Sequence, residues 1–220
     1  MSEILYEAVI YVEILTAVIA SIFFYKYKET TLKYFLFFLW YVTINEAVGK
    51  YNLEILKSEK IIIYNIYLFI NFTFLFFIYW NFLKNIIYKN IVITFSIIYV
   101  IVSIVDIIYF ENYLSELLLN PFMIGSSFLT IIVFLYFIEI LNSEKILLIT
   151  RDILFWISFG VLLFNIGMIP WIIMRKYFYD VFVDNYLLLN TIFRCLIFIL
   201  NFCYIIGFIW GYKMQKQQLS

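Results

Sequence analysis

Residues 61–83 read IIIYNIYLFINFTFLFFIYWNFL, 23 positions without an Asp, Glu, Lys or Arg. Seven residues further on, 91–110 reads IVITFSIIYVIVSIVDIIYF, with Asp106 as its sole charge. An uncharged apolar run of about 20 residues matches the hydrocarbon thickness of a bilayer at the helical rise. Two such runs in succession set the fold class, and the rest of the chain agrees. Of its 220 residues 66% are hydrophobic, 23% aromatic and 14% charged, and none is histidine. Soluble domains are about half apolar and a quarter charged, so a soluble globular fold is excluded.

Read for further runs of this kind, the chain predicts an all-α bundle of seven transmembrane helices forming one domain. The spans lie at about 4–25, 34–49, 61–83, 91–110, 121–141, 153–174 and 186–211. The first run is too long for a signal-peptide core and lacks a basic lead and a small-residue cleavage site, so it is expected to stay in the chain. The second run is short and carries Glu46 near its end, and charge bias arbitrates whether it crosses. With seven spans, one side receives Lys26, Lys28, Lys33, Lys84, Lys89, Lys145, Arg151, Lys213 and Lys216, and the other Lys50, Lys57, Lys60, Arg175 and Lys176. If 34–49 did not cross, the split would be eight to six, with the larger share on the side holding residues 26–60, a much weaker bias. The positive-inside rule therefore predicts seven spans, the N-terminus outside and the C-terminus in the cytoplasm. Trp80, Trp156, Trp171 and Trp210 fall near span ends, where amphipathic rings prefer to sit, and Trp40 is mid-span.

Six glycines and two prolines leave no glycine-rich phosphate loop. Pro121 opens the fifth span, and Pro170 can kink the sixth near its end. Loops are short, so no appended catalytic domain is expected. Segments 111–120 and 142–152 have amphipathic character and read as short interfacial helices or plain turns. A parallel between spans one to three and five to seven rests on Trp40 and Asn45 against Trp156 and Asn165, and on Asn65 and Asn71 against Asn190 and Asn201.

Ionisable groups within a span usually face a bundle interior. Here they are Glu13, Glu46, Asp106, Glu139 and Arg194. In the predicted orientation Glu13 and Arg194 lie at matching depth, roughly 12–14 Å below the outer surface at 1.5 Å per residue. An ion pair between the first and last helices follows, either as a structural lock or as part of a site. Glu46 and Asp106 lie toward the same side. Helical spacing joins Thr43 to Glu46, Ser96 and Ser103 to Asp106, Thr16, Ala17 and Ala20 to Glu13, and Asn190 and Asn201 to Arg194. The expected site is an outward-opening polar pocket of Glu13, Thr43, Glu46, Ser103, Asp106, Asn190 and Arg194, suited to a cation, an amine or a proton. The alternative is that Glu46 and Asp106 end their helices solvated in the headgroup zone. Glu139, one turn from the inner end, is expected to snorkel.

The absence of histidine removes Ser-His nucleophiles, HExxH zinc sites, His-ligated haem and imidazole shuttles. Asp106 is the sole Asp within a span, so an intramembrane aspartyl dyad fails, and Ser126 and Ser127 have no Lys within a span to activate them. A retinal Schiff base would need a Lys in the last helix, which has none before Lys213. No cofactor and no metal are expected, and the zero net charge argues against nucleic acid. Cys195 and Cys203 form no disulfide framework. Gly207 and Gly211 make one GxxxG, read as intramolecular packing.

The stretch from Thr31 to Leu83, with Asn45 and Glu46 in its first helix and Tyr64, Asn65 and Tyr67 opening its second, resembles small seven-helix membrane proteins of flavobacteria and their relatives. That resemblance implies a bacterial inner-membrane location and no activity. What remains is a non-enzymatic, receptor-like or sensory unit that relays a signal from the outer pocket to a cytoplasmic or membrane partner. The rival is a transporter or oligomeric pore, as in antiphage membrane effectors. The partners expected are the bilayer, a partner protein and further copies of the chain.

Overall fold

No water serves the backbone inside a bilayer, so uncharged runs of this length satisfy their N–H and C=O groups within helices. A computed structural model describes residues 2–55, 60–109 and 117–213, and among these residues every regular element is helical. The order is α1 (Ser2–Ile22), a 3-10 turn (Phe24–Lys26), α2 (Lys33–Ile55), α3 (Lys60–Phe82), α4 (Ile86–Tyr109), α5 (Leu119–Leu141), a 3-10 segment (Glu144–Arg151), α6 (Ile153–Tyr177), α7 (Tyr179–Asp184) and α8 (Tyr186–Trp210). Among the described residues five helices, α3 to α6 and α8, are long and apolar enough to cross a membrane. On α4, Ile97, Ile101, Ile104 and Ile108 recur at helical spacing and are exposed, which suits lipid and not water.

The elements depart from the predicted spans in instructive ways. α2 continues to Ile55 instead of stopping at 49, so Glu46 lies in the body of the helix rather than near its end. Gly49 weakens a helix by about 1 kcal/mol without breaking it, and no proline follows. α4 begins at Ile86, not 91, because Asn85 supplies a cap: its Oδ1 accepts from Ile87 N at 2.8 Å. Asp152 does the same for α6, accepting from Leu154 N at 2.8 Å. α6 runs through Pro170 to Tyr177. The amphipathic segment 142–152 contains the 3-10 segment, whereas most of 111–120 lies outside the described residues. The six-residue α7 has no counterpart among the predicted spans.

The chain divides inside α2 and at the end of α5 into two compact units, Met1–Thr43 with Ile140–Ser220, and Ile44–Glu139. This division does not follow the repeat suggested by the Trp and Asn spacing.

In the first unit α8 packs on α6 and on α1. Four glycines line the α6–α8 seam, Gly160 against Cys203, Gly167 against Leu196, Gly207 against Trp156 and Gly211 against Ile153. Position falls on one helix as it rises on the other, so the pair is antiparallel. The GxxxG thus serves contact within the chain. Along α1 the small residues Thr16, Ala17 and Ala20 are fully buried. Just past its end, Lys26 Nζ donates to Phe208 O at 3.0 Å and Ile209 O at 2.8 Å. α1 and α8 therefore finish together and run parallel, and the Lys26 ammonium satisfies carbonyls that the end of α8 leaves open. Tyr27, fully buried beside Phe208, donates to Ala20 O at 2.8 Å. Burial lowers the Lys26 ammonium and raises the Tyr27 phenol from their ordinary pKa values.

In the second unit α3 meets α5 through Asn65 with Leu118, Phe72 with Gly125 and Tyr79 with Tyr136. The sequence separation stays nearly constant, so these two helices are parallel. α4 is antiparallel to α5, with Phe95 stacked on Phe128 and Asp106 bonded to Asn120. Its buried stripe is Val92, Tyr99, Ser103 and Asp106. Phe72, Phe76, Tyr99 and Phe122 fill the centre, with ring centroids 5.4–6.3 Å apart where they touch.

Candidate functional site

The polar groups of the second unit converge where α3 and α5 begin and α4 ends. Asn65, near the start of α3, accepts from Leu118 N at 3.1 Å through its side-chain oxygen and so holds the entry to α5. Two residues later Asn120 turns back and donates to Asp106 Oδ1 at 2.6 Å. Pro121 follows in the first turn of α5, where its missing N–H leaves nothing unsatisfied. Asp106 is 3% exposed, which rules out the solvated, headgroup-level position allowed by the sequence. Its second oxygen, Oδ2, is buried and has no hydrogen-bond partner among the described residues. Ser126 Oγ, further along α5, is in the same condition. A buried acceptor without a donor costs about 1–3 kcal/mol, more when charged, so Asp106 is the most demanding polar group here.

Glu46, on the part of α2 that belongs to this unit, is half-buried and accepts from Tyr64 Oη at 3.2 Å. Ser103 is buried one turn before Asp106 and donates to Tyr99 O at 2.8 Å, its own helix. Ser96 is half-buried and bonds Val92 O in the same manner at 2.8 Å.

The remaining predicted residues fall in the first unit. Glu13 is half-buried on the α1 face that presents Thr16, Ala17 and Ala20, and Arg194 and Asn190 are half-buried on α8. Thr43 is buried and donates to Leu39 O at 3.0 Å, and Thr16 donates to Val12 O at 2.8 Å. Asn201 and Asn165 likewise bond Ile197 O and Val161 O, at 3.0 and 2.8 Å. Most small polar groups expected to glue helices together are thus satisfied by their own helix four residues back. Bonds between helices come from fewer residues. In the first unit one is Trp40 Nε1 to Ser21 Oγ at 3.2 Å, which gives the mid-span Trp a role.

At the other end of the second unit Glu139 does more than snorkel. Its carboxylate accepts from Lys84 N at 2.7 Å and Asn85 N at 3.0 Å, clamping the turn between α3 and α4 against the last turn of α5. These are the free donors at the start of α4, where a carboxylate is favoured by charge and by geometry. α5 therefore carries the Asp106 contact at its first turn and this clamp at its last. Neither Asn120 nor the clamp was legible as a site. An Asn before a Pro reads as a helix start, and backbone donors leave no mark on residue identity.

Among the described residues no three Asp, Glu, Cys or His side chains gather as a metal site. No family model, curated protein or solved structure matches the chain.

Proposed function

We propose that the chain is a seven-span, non-enzymatic sensor of the bacterial inner membrane, with its N-terminus outside and its C-terminus in the cytoplasm. Asp106 lies at its receiving end and α5 transmits the signal. The buried Asp106 oxygen, without a donor among the described residues, carries this reading. It invites a cation, an amine or a proton from the outer side, and its other oxygen already grips Asn120 on α5. An occupant that draws Asp106 away from or toward Asn120 shifts the start of α5. A stiff helix of 23 residues delivers that shift to the Glu139 clamp. The nine-to-five division of basic residues supports the orientation. The parallel packing of α1 on α8 supports the Glu13–Arg194 pair as a lock in the first unit.

The Lys84 side chain takes no part in the clamp, which uses its backbone N–H, so a fluorophore on Lys84→Cys reports there after Cys195 and Cys203 are replaced by Ala. In vesicles, titration of the outer side with sodium, ammonium or acid is expected to change its emission, and Asp106→Asn to abolish the change. Ionic current through the protein in planar bilayers, lost in Glu46→Gln, would instead establish the transporter or pore. Accessibility of 26–33 and 50–60 from one and the same side would remove the seven-span topology.

A further inference from the structure

The end of α8 is held by two cations that differ in how far their donors are engaged. Lys26 is bound to the Phe208 and Ile209 carbonyls. Arg151 instead lies over the Trp210 ring at 5.6 Å and the Tyr212 ring at 5.2 Å. Its backbone carbonyl accepts from Tyr212 N at 2.8 Å, which fixes the 3-10 segment to the chain leaving α8. No carboxylate pairs with its guanidinium among the described residues, and the nearby Asp152 carboxylate serves the start of α6. Stacking orients a guanidinium while leaving its N–H edge open, the geometry that suits two oxygens of one phosphate.

The surroundings select the source of that phosphate. Trp210 and Tyr212, the rings beside the guanidinium, are exposed, as is Leu148 in the same 3-10 segment, and Lys213 adds an exposed charge. Exposed aromatic and aliphatic groups beside a cation suit the boundary between headgroups and acyl chains and are poorly matched to a soluble anion. We propose that Arg151, framed by Trp210 and Tyr212 and flanked by Lys26 and Lys213, binds the phosphodiester of an anionic phospholipid. This inference rests on the membrane-spanning reading but not on the Asp106 sensor.

Native mass spectrometry of the full chain released from vesicles tests it. The vesicles contain phosphatidylcholine with or without phosphatidylglycerol. The wild type is expected to retain phosphatidylglycerol in preference to phosphatidylcholine. Arg151→Gln should lose that preference about tenfold, and Arg151→Lys, which keeps charge without the fork, should lose part of it. Arg175→Gln, whose residue lies over Trp171 at 5.1 Å, should behave as wild type. Equal retention in wild type and Arg151→Gln would overturn the proposal, as would equal competition by inorganic phosphate. A chain that inserts into neither kind of vesicle would overturn the membrane reading itself, a result distinguishable from insertion without lipid preference.

Discussion

The two compact units solve the same packing problem by different means. Helices in lipid gain little from hiding apolar surface, so close contact, van der Waals packing and hydrogen bonds must hold them. The first unit removes side chains: Gly160 and Gly207 let α6 and α8 approach almost backbone to backbone, and Gly167 and Gly211 make room for Leu196 and Ile153. The second unit fills space with rings and ties its ends with side-chain hydrogen bonds, Asp106 to Asn120 and Glu139 to the α3–α4 turn. In the second unit the buried Asp106 Oδ2 has no hydrogen-bond partner among the described residues, and for that reason the candidate site lies there.

Substitution at the seam should have the largest effect. A Cβ at Gly160 would meet Cys203 Cβ at 2.9 Å and Leu200 O at 3.2 Å, and one at Gly207 would meet Trp156 Cβ at 2.9 Å and Ile153 O at 3.2 Å. These atoms belong to backbone or its first side-chain carbon and cannot swing away. Gly160→Leu and Gly207→Leu should each cost more than about 3 kcal/mol, above the usual range for overpacking. Fluorescence-detected size exclusion would show loss of the folded species. If both variants elute and melt as the wild type, the seam is not closed in solution.

Charge in the first unit gives the next effect. An unpaired Arg within a span is disfavoured by about 2.5–3.5 kcal/mol on insertion scales. If Glu13 pairs with it, Arg194→Leu strands a carboxylate, and the double variant with Glu13→Gln should melt higher than Arg194→Leu alone. Strictly additive changes in melting temperature would mean that the two residues do not touch.

The smallest effect is expected where a ring meets a glycine. A Cβ at Gly125 would lie 2.7 Å from Phe72 Cδ2, a side-chain atom and not backbone. Gly125→Ala should therefore cost about 1–2 kcal/mol, and Phe72→Leu added to it should return part of that loss. Absence of any coupling in the double-variant cycle would show that the second unit does not rely on this contact.

Helix class, the five strongly apolar runs and the inward face of Thr16, Ala17 and Ala20 were legible in the sequence. Composition and period act locally and survive any tertiary arrangement. Asp106 was legible only as one of five charges within spans, with Glu13, Glu46, Glu139 and Arg194. What tertiary structure alone decided is how each polar group is answered. Asn120 faces Asp106, Glu139 turns to backbone N–H groups, Lys26 closes the end of α8, and Gly160 and Gly167 join Gly207 and Gly211 in one seam. Each is a contact between residues distant in the chain, frequently to backbone. Residue identity records that a group has a need, and only the packing of helices settles which neighbour meets it.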